Sequence, residues 1–164
     1  MGALGCPRCG SDFVRRSGRK SAVERLLSFA YVFPFRCQLC QHRFQAFRWR
    51  ERYLRTAAAD RREYERLPIQ AWSTLWWRDG HQDARVTDLS IAGCSIETDS
   101  PVAEGEVIQL KLAPGPDERA IVVDRAVVRS TQPGRLGVQF IRVQQDEEGR
   151  LRQYLYEVFV SRLH

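Results

Sequence analysis

Two Cys-x-x-Cys pairs in the first quarter of the chain are the residues best suited to chemistry. The sequence pairs Cys6 with Cys9 and Cys37 with Cys40. A two-residue spacer lets one tight turn aim two sulfurs at the same ion, and four thiolates complete a tetrahedral Zn²⁺ site. Such a site leaves no open position for water or substrate, so the spacing indicates a structural metal rather than a catalytic one. Reduced or disulfide-bonded cysteines are the alternatives.

The surroundings of these pairs resemble a zinc ribbon over about the first 50 residues. Gly10 follows the first pair, where a turn often needs the positive φ that glycine adopts freely. Gln41 stands in the equivalent place after the second pair, at a cost of about 1 kcal/mol if the backbone there is left-handed. The resemblance implies two knuckles at the ends of β-hairpins, clamping one structural zinc. The fifth cysteine, Cys94, has no partner and is expected to be a buried side chain.

A second group of candidate residues combines arginines with a short polar motif. Arg62 and Arg66 form an R-x-x-x-R pair, which alone carries little information in a chain this rich in arginine. Asp88, Ser90 and Gly93 form D-x-S-x-x-G, which this composition produces far less often by chance. Guanidinium groups suit phosphates and guanine edges, and a carboxylate accepts hydrogen bonds from N–H groups.

The elements that must position the second group are mainly strands. Alternating or apolar runs bounded by Gly- or Pro-bearing turns predict strands at Ile69–Trp77, Arg85–Leu89, Gly93–Glu97, Val107–Leu112, Ala120–Val128 and Leu136–Ile141. Six short strands predict a small antiparallel barrel. Apolar residues from Leu151 to Phe159 follow helical spacing and predict a C-terminal helix that caps the barrel.

The two halves are joined by a segment without glycine or proline. Residues 50–66 contain three consecutive alanines and predict a helical or partly helical linker. Pro68 ends it, because the residue before a proline is pushed toward extended geometry. The predicted organisation is therefore a zinc ribbon at 1–50, a helical linker at 51–60 and a barrel domain at 61–164.

The order of these features over residues 60–164 resembles a PilZ domain, a bacterial receptor for cyclic di-GMP built on a six-stranded barrel. The ligand residues that the resemblance implies are Arg61, Arg62, Arg66, Asp88, Ser90 and Gly93. In this family an arginine directly before the motif accompanies a stacked ligand dimer, so Arg61 implies two nucleotides per domain. The alternative is that Asp88 and Ser90 only cap a turn and that the arginines are solvated.

The charge is unevenly divided along the chain. Residues 1–55 hold 12 Lys+Arg against 3 Asp+Glu, whereas residues 56–164 hold 14 against 17. In the basic half, arginines interleave with aromatics such as Phe29, Tyr31 and Phe33, a pattern suited to nucleic acid. Docking on another protein is the alternative for the same surface. The apolar run Leu26–Phe35 has half the length needed to cross a bilayer, so no transmembrane segment is predicted.

These patterns favour a binding protein over an enzyme. No nucleophile–base spacing is visible, and the paired thiols are committed to metal. We expect a cytoplasmic cyclic di-GMP receptor in which ligand at the arginine segment changes the orientation of the zinc ribbon toward an unidentified output protein. The alternative is a zinc-ribbon nucleic-acid-binding regulatory protein in which the barrel is a scaffold. The location follows from the absence of a visible secretory signal at the N-terminus.

Overall fold

The computed structural model describes residues 4–49, 63–115 and 118–163. The chain divides into two compact units, Met1–Glu65 and Arg66–His164. Arg61, Arg62 and the predicted linker helix at 51–60 lie outside the described residues. Residues 63–66 are described and are not helical, because their polar groups bond to other segments of the chain rather than within a helical turn.

The first unit is a small antiparallel sheet with one short helix. Its elements are β1 (Val14–Arg16), α1 (Ala22–Leu27), a 3₁₀ turn (Ser28–Ala30), β2 (Val32–Cys37) and β3 (Arg43–Phe47). The strand order is β1-β2-β3. The sheet buries Phe13, Phe33 and Phe35 together with three of the paired cysteines. A core of this size is too small to stabilise the fold without an additional cross-link such as a structural metal.

A capping box fixes the start of α1. The Ser21 hydroxyl accepts a hydrogen bond from the backbone N–H of Glu24, and the Glu24 carboxylate accepts one from the backbone N–H of Ser21. Glu24 also pairs with Arg43 of β3, at 2.9 Å between Oε1 and Nη2. One buried carboxylate therefore joins the helix to the sheet.

The second unit is a closed antiparallel barrel of six strands with the order β4-β5-β6-β9-β8-β7. The strands are β4 (Leu67–Trp77), β5 (Gly80–Ser90), β6 (Gly93–Glu97), β7 (Val107–Ala113), β8 (Ile121–Gln132) and β9 (Arg135–Arg142). Burial alternates along β4, with Leu67, Ile69, Ala71, Ser73 and Leu75 inside. The predicted mainly β class, with a six-stranded barrel, is confirmed.

The C-terminal helix α2 (Gln145–Ser161) is also confirmed, and it contacts β8 and β4. Leu151 and Leu155 on its inner face are buried. Cys94 is fully buried, as expected. Among the described residues, no helix is long and apolar enough to cross a membrane.

Two strands extend at one end well beyond the bounds that the sequence predicted, whereas the ends of the others differ by at most two residues. β5 begins at Gly80 rather than Arg85, and β8 ends at Gln132 rather than Val128. The added residues are mostly polar and lack an apolar pattern, but they pair with β4 and β9. Hairpin pairing to a neighbouring strand supplies their backbone hydrogen bonds, which no local pattern reveals.

Candidate functional site

The four paired cysteines converge on one point. All four Sγ atoms lie within 4.8 Å of one another, and both the Cys6–Cys40 and the Cys9–Cys37 sulfur pairs are 3.6 Å apart. A tetrahedron with Zn–S bonds of about 2.3 Å has edges of about 3.8 Å. The donor set and its spacing therefore fit Zn²⁺, and the cluster is consistent with the predicted zinc ribbon.

The backbone of each knuckle has the turn that the spacing requires. Gly10 has a φ of 75° and Gln41 a φ of 61°, so the second knuckle accepts a left-handed non-glycine residue. Burial raises the pKa of the Cys37 thiol to about 12. A bound cation is therefore what would make this sulfur a thiolate near neutral pH.

A second cluster of charged side chains lies on the barrel and is centred on Asp88. In the strand register, Asp88 lies opposite Pro68 of β4 and Ser95 of β6. A register shift lies next to each of these two positions. Irregularities of this kind bend a strand and re-aim its side chains. Asp88 Oδ1 accepts a hydrogen bond from Arg66 Nη1 at 2.9 Å. Its Oδ2 accepts one from Arg135 Nη2 at 2.8 Å.

The cluster combines two cations with one anion. The Asp88 side chain is 14% exposed, that of Arg66 21% and that of Arg135 49%. Arg66 Nη1 also donates to the buried Ser95 hydroxyl at 2.7 Å. The three charged groups in contact sum to one positive charge, and Arg135 reaches solvent. Such an arrangement can bind an anionic ligand if a guanidinium group exchanges its contact with Asp88 for one with the ligand.

Ser90 and Gly93 close the turn between β5 and β6. The Ser90 hydroxyl donates to the Gly93 carbonyl at 3.0 Å and accepts from the Ala92 N–H at 3.4 Å. A Cβ on Gly93 would lie 2.2 Å from the carbonyl oxygen of Val138 on β9. Gly93 thus permits a close approach between two strands of the barrel itself. The hydrogen bonds of Ser90 are those expected from the turn-capping alternative. A ligand role for Ser90 or Gly93 stays a prediction.

Of the six predicted ligand residues, the structure joins Arg66 and Asp88 directly. Arg61 and Arg62 lie outside the described residues. Two members of the cluster, Ser95 and Arg135, were missed by the sequence analysis. Ser95 is two residues beyond Gly93 in the same predicted strand, so strand periodicity could have placed both on one face. Arg135 follows a turn, and nothing local indicates that β9 pairs with β6.

Fold and site together define a closed six-stranded barrel with an arginine–carboxylate cluster, carried in one chain with a four-cysteine ribbon. The family model for the PilZ domain matches residues 60–157. The chain belongs to the PilZ domain family, which confirms the resemblance drawn from the sequence. No curated protein matches it.

Several solved structures share the fold. YcgR from Escherichia coli, solved in complex with c-di-GMP, is 17% identical, with a TM-score of 0.54 over 90% of this chain and 74% of that chain. MrkH, described as a c-di-GMP-dependent transcription regulatory factor, is 14% identical, with a TM-score of 0.52 over 62% of this chain and 52% of that one. The Bacillus subtilis inhibitor of motility (MotI/DgrA) is 16% identical, with a TM-score of 0.51 and the same coverages. This chain therefore spans about half the length of the latter two. At these identities the likeness concerns the fold alone.

Proposed function

We propose that this chain is a non-enzymatic receptor for cyclic di-GMP. The observation that carries the proposal is the contact of Arg66 with Asp88, because it joins the two PilZ-like motifs in one charged cluster. Cyclic di-GMP offers two phosphates and guanine edges, which suit bidentate guanidinium groups. Membership of the PilZ family and the fold shared with YcgR, which was solved with c-di-GMP, support the choice of ligand.

In the proposed complex, Arg62 and Arg66 hold the phosphates and guanine faces, with Arg61 contributing to a stacked pair of nucleotides. Asp88 accepts hydrogen bonds from guanine N–H groups, and Ser90 and Gly93 line the barrel side. Arg66 would exchange part of its contact with Asp88 for a ligand phosphate. Because Asp88 keeps its bond to Arg135, the carboxylate would not be left without a counter-charge.

The proposed cofactor is one structural zinc ion held by Cys6, Cys9, Cys37 and Cys40. Zinc would contribute folding free energy to the ribbon, on the order of 10 kcal/mol. The proposed location is the cytoplasm, where reducing conditions leave paired thiols available to metal.

The proposed output is a change in the orientation of the ribbon toward a protein partner. Ligand bound by Arg61, Arg62 and Arg66 together would draw the residues before Arg66 toward the barrel, where Arg66 already contacts Asp88. A ligand shifts such an equilibrium only by its difference in affinity for the two arrangements. Small-angle scattering with and without cyclic di-GMP tests this step, and identical curves would contradict it.

Titration calorimetry on zinc-assayed protein tests the receptor function. We expect micromolar binding of cyclic di-GMP, with two nucleotides per chain, and loss of binding in the Arg62→Ala/Arg66→Ala variant. Arg78→Ala, in the hairpin between β4 and β5, is the matched control and should bind like the wild type. Absence of binding to the wild type, or full affinity in the double variant, would reject the proposal.

A second candidate function is nucleic-acid binding by the ribbon. Phe29 is 83% exposed, and the exposed rings of Tyr31 and Trp49 lie 4.6 Å apart. These rings could stack on bases of a single strand beside the basic residues of the ribbon. Phe33 does not join them, because it is buried with the Arg16 guanidinium 3.5 Å over its ring.

Fluorescence anisotropy with labelled single-stranded DNA and RNA separates the two candidates. Binding by the full chain that weakens with salt, weakens in Phe29→Ala and does not depend on cyclic di-GMP would favour the nucleic-acid function. Absence of binding to either nucleic acid at low salt would reject the nucleic-acid function.

A further inference from the structure

The three residues between Arg62 and Arg66 are bonded to the ribbon. The backbone N–H of Glu65 donates to Gln38 Oε1 at 2.6 Å. The Glu63 carboxylate pairs with Arg36 Nη2 at 2.6 Å. The Tyr64 hydroxyl accepts from Arg36 Nη1 at 2.9 Å. Every residue of the intervening segment therefore has a polar partner within the unit Met1–Glu65.

These partners belong to the second cysteine knuckle. Gln38 lies between Cys37 and Cys40, and Arg36 directly precedes the pair. Gln41, directly after it, accepts a hydrogen bond from the Tyr64 hydroxyl at 3.1 Å. The knuckle whose sulfurs would bind zinc is thus also the surface that holds residues 63–65.

Gln38 is built into this knuckle rather than lying on its surface. The residue is 2% exposed, and its Nε2 donates to the Arg36 carbonyl at 3.2 Å. Because the amide nitrogen is engaged there, the Oε1 atom is turned toward Glu65. A buried amide needs both partners, since leaving either group unpaired costs free energy. The bond to Glu65 is therefore part of the folded knuckle.

The contacts of Glu65 with the ribbon also restrict Arg66, because the two residues are adjacent in the chain. Glu65, held by Gln38, is followed directly by Arg66, whose guanidinium bonds to Asp88 and Ser95. Fixing one residue restricts where its neighbour can go, so less conformational freedom remains to be lost when a ligand binds. Residues 63–65 are thus held by the ribbon, and Arg66 lies at the predicted binding site.

We propose that Gln38 and Arg36 are positioning residues for residues 63–66, so that the folded, metal-loaded knuckle raises the affinity for cyclic di-GMP. The proposal rests on the receptor function above and deepens it. Coupling between two binding sites is reciprocal. Zinc in the ribbon therefore strengthens nucleotide binding, and nucleotide raises the affinity for zinc by the same factor.

Calorimetry with cyclic di-GMP on zinc-loaded Gln38→Ala is the first test. One lost hydrogen bond predicts an affinity weaker by about 2- to 12-fold. Gln45→Ala, an exposed glutamine on β3 of the same sheet, is the matched control and should keep the wild-type affinity. Zinc content should stay at one ion per chain in both. Unchanged or tighter nucleotide binding by Gln38→Ala would overturn the proposal.

Tyr64→Phe is the second variant, chosen because it removes only a hydroxyl and leaves the knuckle intact. It cuts the links from Tyr64 to Arg36 and Gln41 and should weaken nucleotide binding in the same direction. If Gln38→Ala loses its zinc, this variant decides the question, and an unchanged affinity rejects the positioning role.

Equilibrium competition for zinc with a chromogenic chelator supplies a readout that a merely structural role would not move. We expect cyclic di-GMP to raise the zinc affinity of the wild type and to have a smaller effect on Gln38→Ala. A structural role alone would change the zinc affinity equally with and without nucleotide. If the wild type binds no cyclic di-GMP, the receptor function fails; if it binds but the variants behave like wild type, only the positioning role fails.

Discussion

Arg66 and Asp88 come from different motifs, 22 positions apart, and form an ion pair of 2.9 Å between Nη1 and Oδ1. Both side chains are largely withdrawn from solvent, so Arg66 depends on Asp88 for its counter-charge, whereas Asp88 has a second cationic partner in Arg135. Arg135, on the other side of the carboxylate, is half exposed. The same cluster therefore contributes to barrel stability and to the proposed ligand site, and the two contributions can be separated by changing different members.

Arg135→Ala should weaken cyclic di-GMP binding with little effect on folding. Because Arg135 is half exposed and Asp88 keeps Arg66 as a partner, the loss in stability should be about 0–1 kcal/mol. Loss of one guanidinium near the ligand removes a charge-assisted hydrogen bond and should cost about tenfold in affinity. Calorimetry and thermal unfolding measure the two effects. Arg142→Ala, an exposed arginine at the other end of β9, is the control and should change neither quantity.

Asp88→Ala should instead destabilise the barrel. The change leaves Arg66 and Arg135 without their shared carboxylate and exposes two like charges to each other. We expect a loss of about 1–3 kcal/mol in the free energy of unfolding, measured by urea denaturation. A variant as stable as the wild type would show that the pair contributes nothing net to folding.

Cys37→Ser should abolish stoichiometric zinc and unfold the ribbon. Three thiolates cannot close the tetrahedral site, and the sheet has a small core of its own. Zinc analysis and the amide NMR spectrum report the two effects. Cys94→Ala is the matched control, because this cysteine lies inside the barrel and should leave one zinc per chain. A zinc content unaffected by Cys37→Ser would show that the cluster is not the metal site.

Glu24→Gln should destabilise the ribbon in a pH-dependent way. A hydrogen bond from the Lys20 N–H, with the charge of Arg43, holds the pKa of Glu24 below its usual 4.5 despite the opposing effect of burial. A depressed folded-state pKa gives stability that is complete above the unfolded value and is lost as the pH falls through the folded value.

The measurement for Glu24 is the difference in ribbon unfolding free energy between wild type and variant. It should be constant from pH 7 to about pH 5 and shrink below the usual carboxyl pKa of 4.5. Taking a difference removes the effect of acid on the cysteines, which both proteins share. Glu104→Gln, at an exposed carboxylate, is the control. A difference that grows on acidification would contradict the assigned sign.

The sequence predicted the barrel well because its strands alternate in burial and are bounded by Gly- and Pro-bearing turns. Gly93–Glu97 was predicted with the bounds that the structure shows. Residues that depend on non-local pairing were not accessible in this way. Arg135 reaches Asp88 only because β9 pairs with β6 rather than solely with its hairpin neighbour β8.

The link from Gln38 to Glu65 illustrates the same limit in the ribbon. A glutamine between two cysteines has no local signature of burial, and residues 63–65 carry a composition that favours a helix. Their bonds to the knuckle override that preference. Metal-ligand spacing was predictable because the chemistry fixes it over a few residues, whereas the partner of a buried amide is fixed only by the folded chain.

Gly93→Ala and Gly149→Ala should have opposite effects on barrel stability. A Cβ at Gly93 would lie 2.2 Å from the Val138 carbonyl oxygen, so β6 and β9 must move apart along a hydrogen-bonded ladder. Strain of this kind costs about 1–3 kcal/mol.

At Gly149, in the interior of α2, a Cβ meets nothing within 4 Å. Alanine there should stabilise the helix by about 0.5–1 kcal/mol, because it loses less backbone entropy on folding. Thermal and urea unfolding of both variants measure the difference. A stable Gly93→Ala variant that fails to bind cyclic di-GMP would show that glycine is required here for ligand contact and not for strand packing.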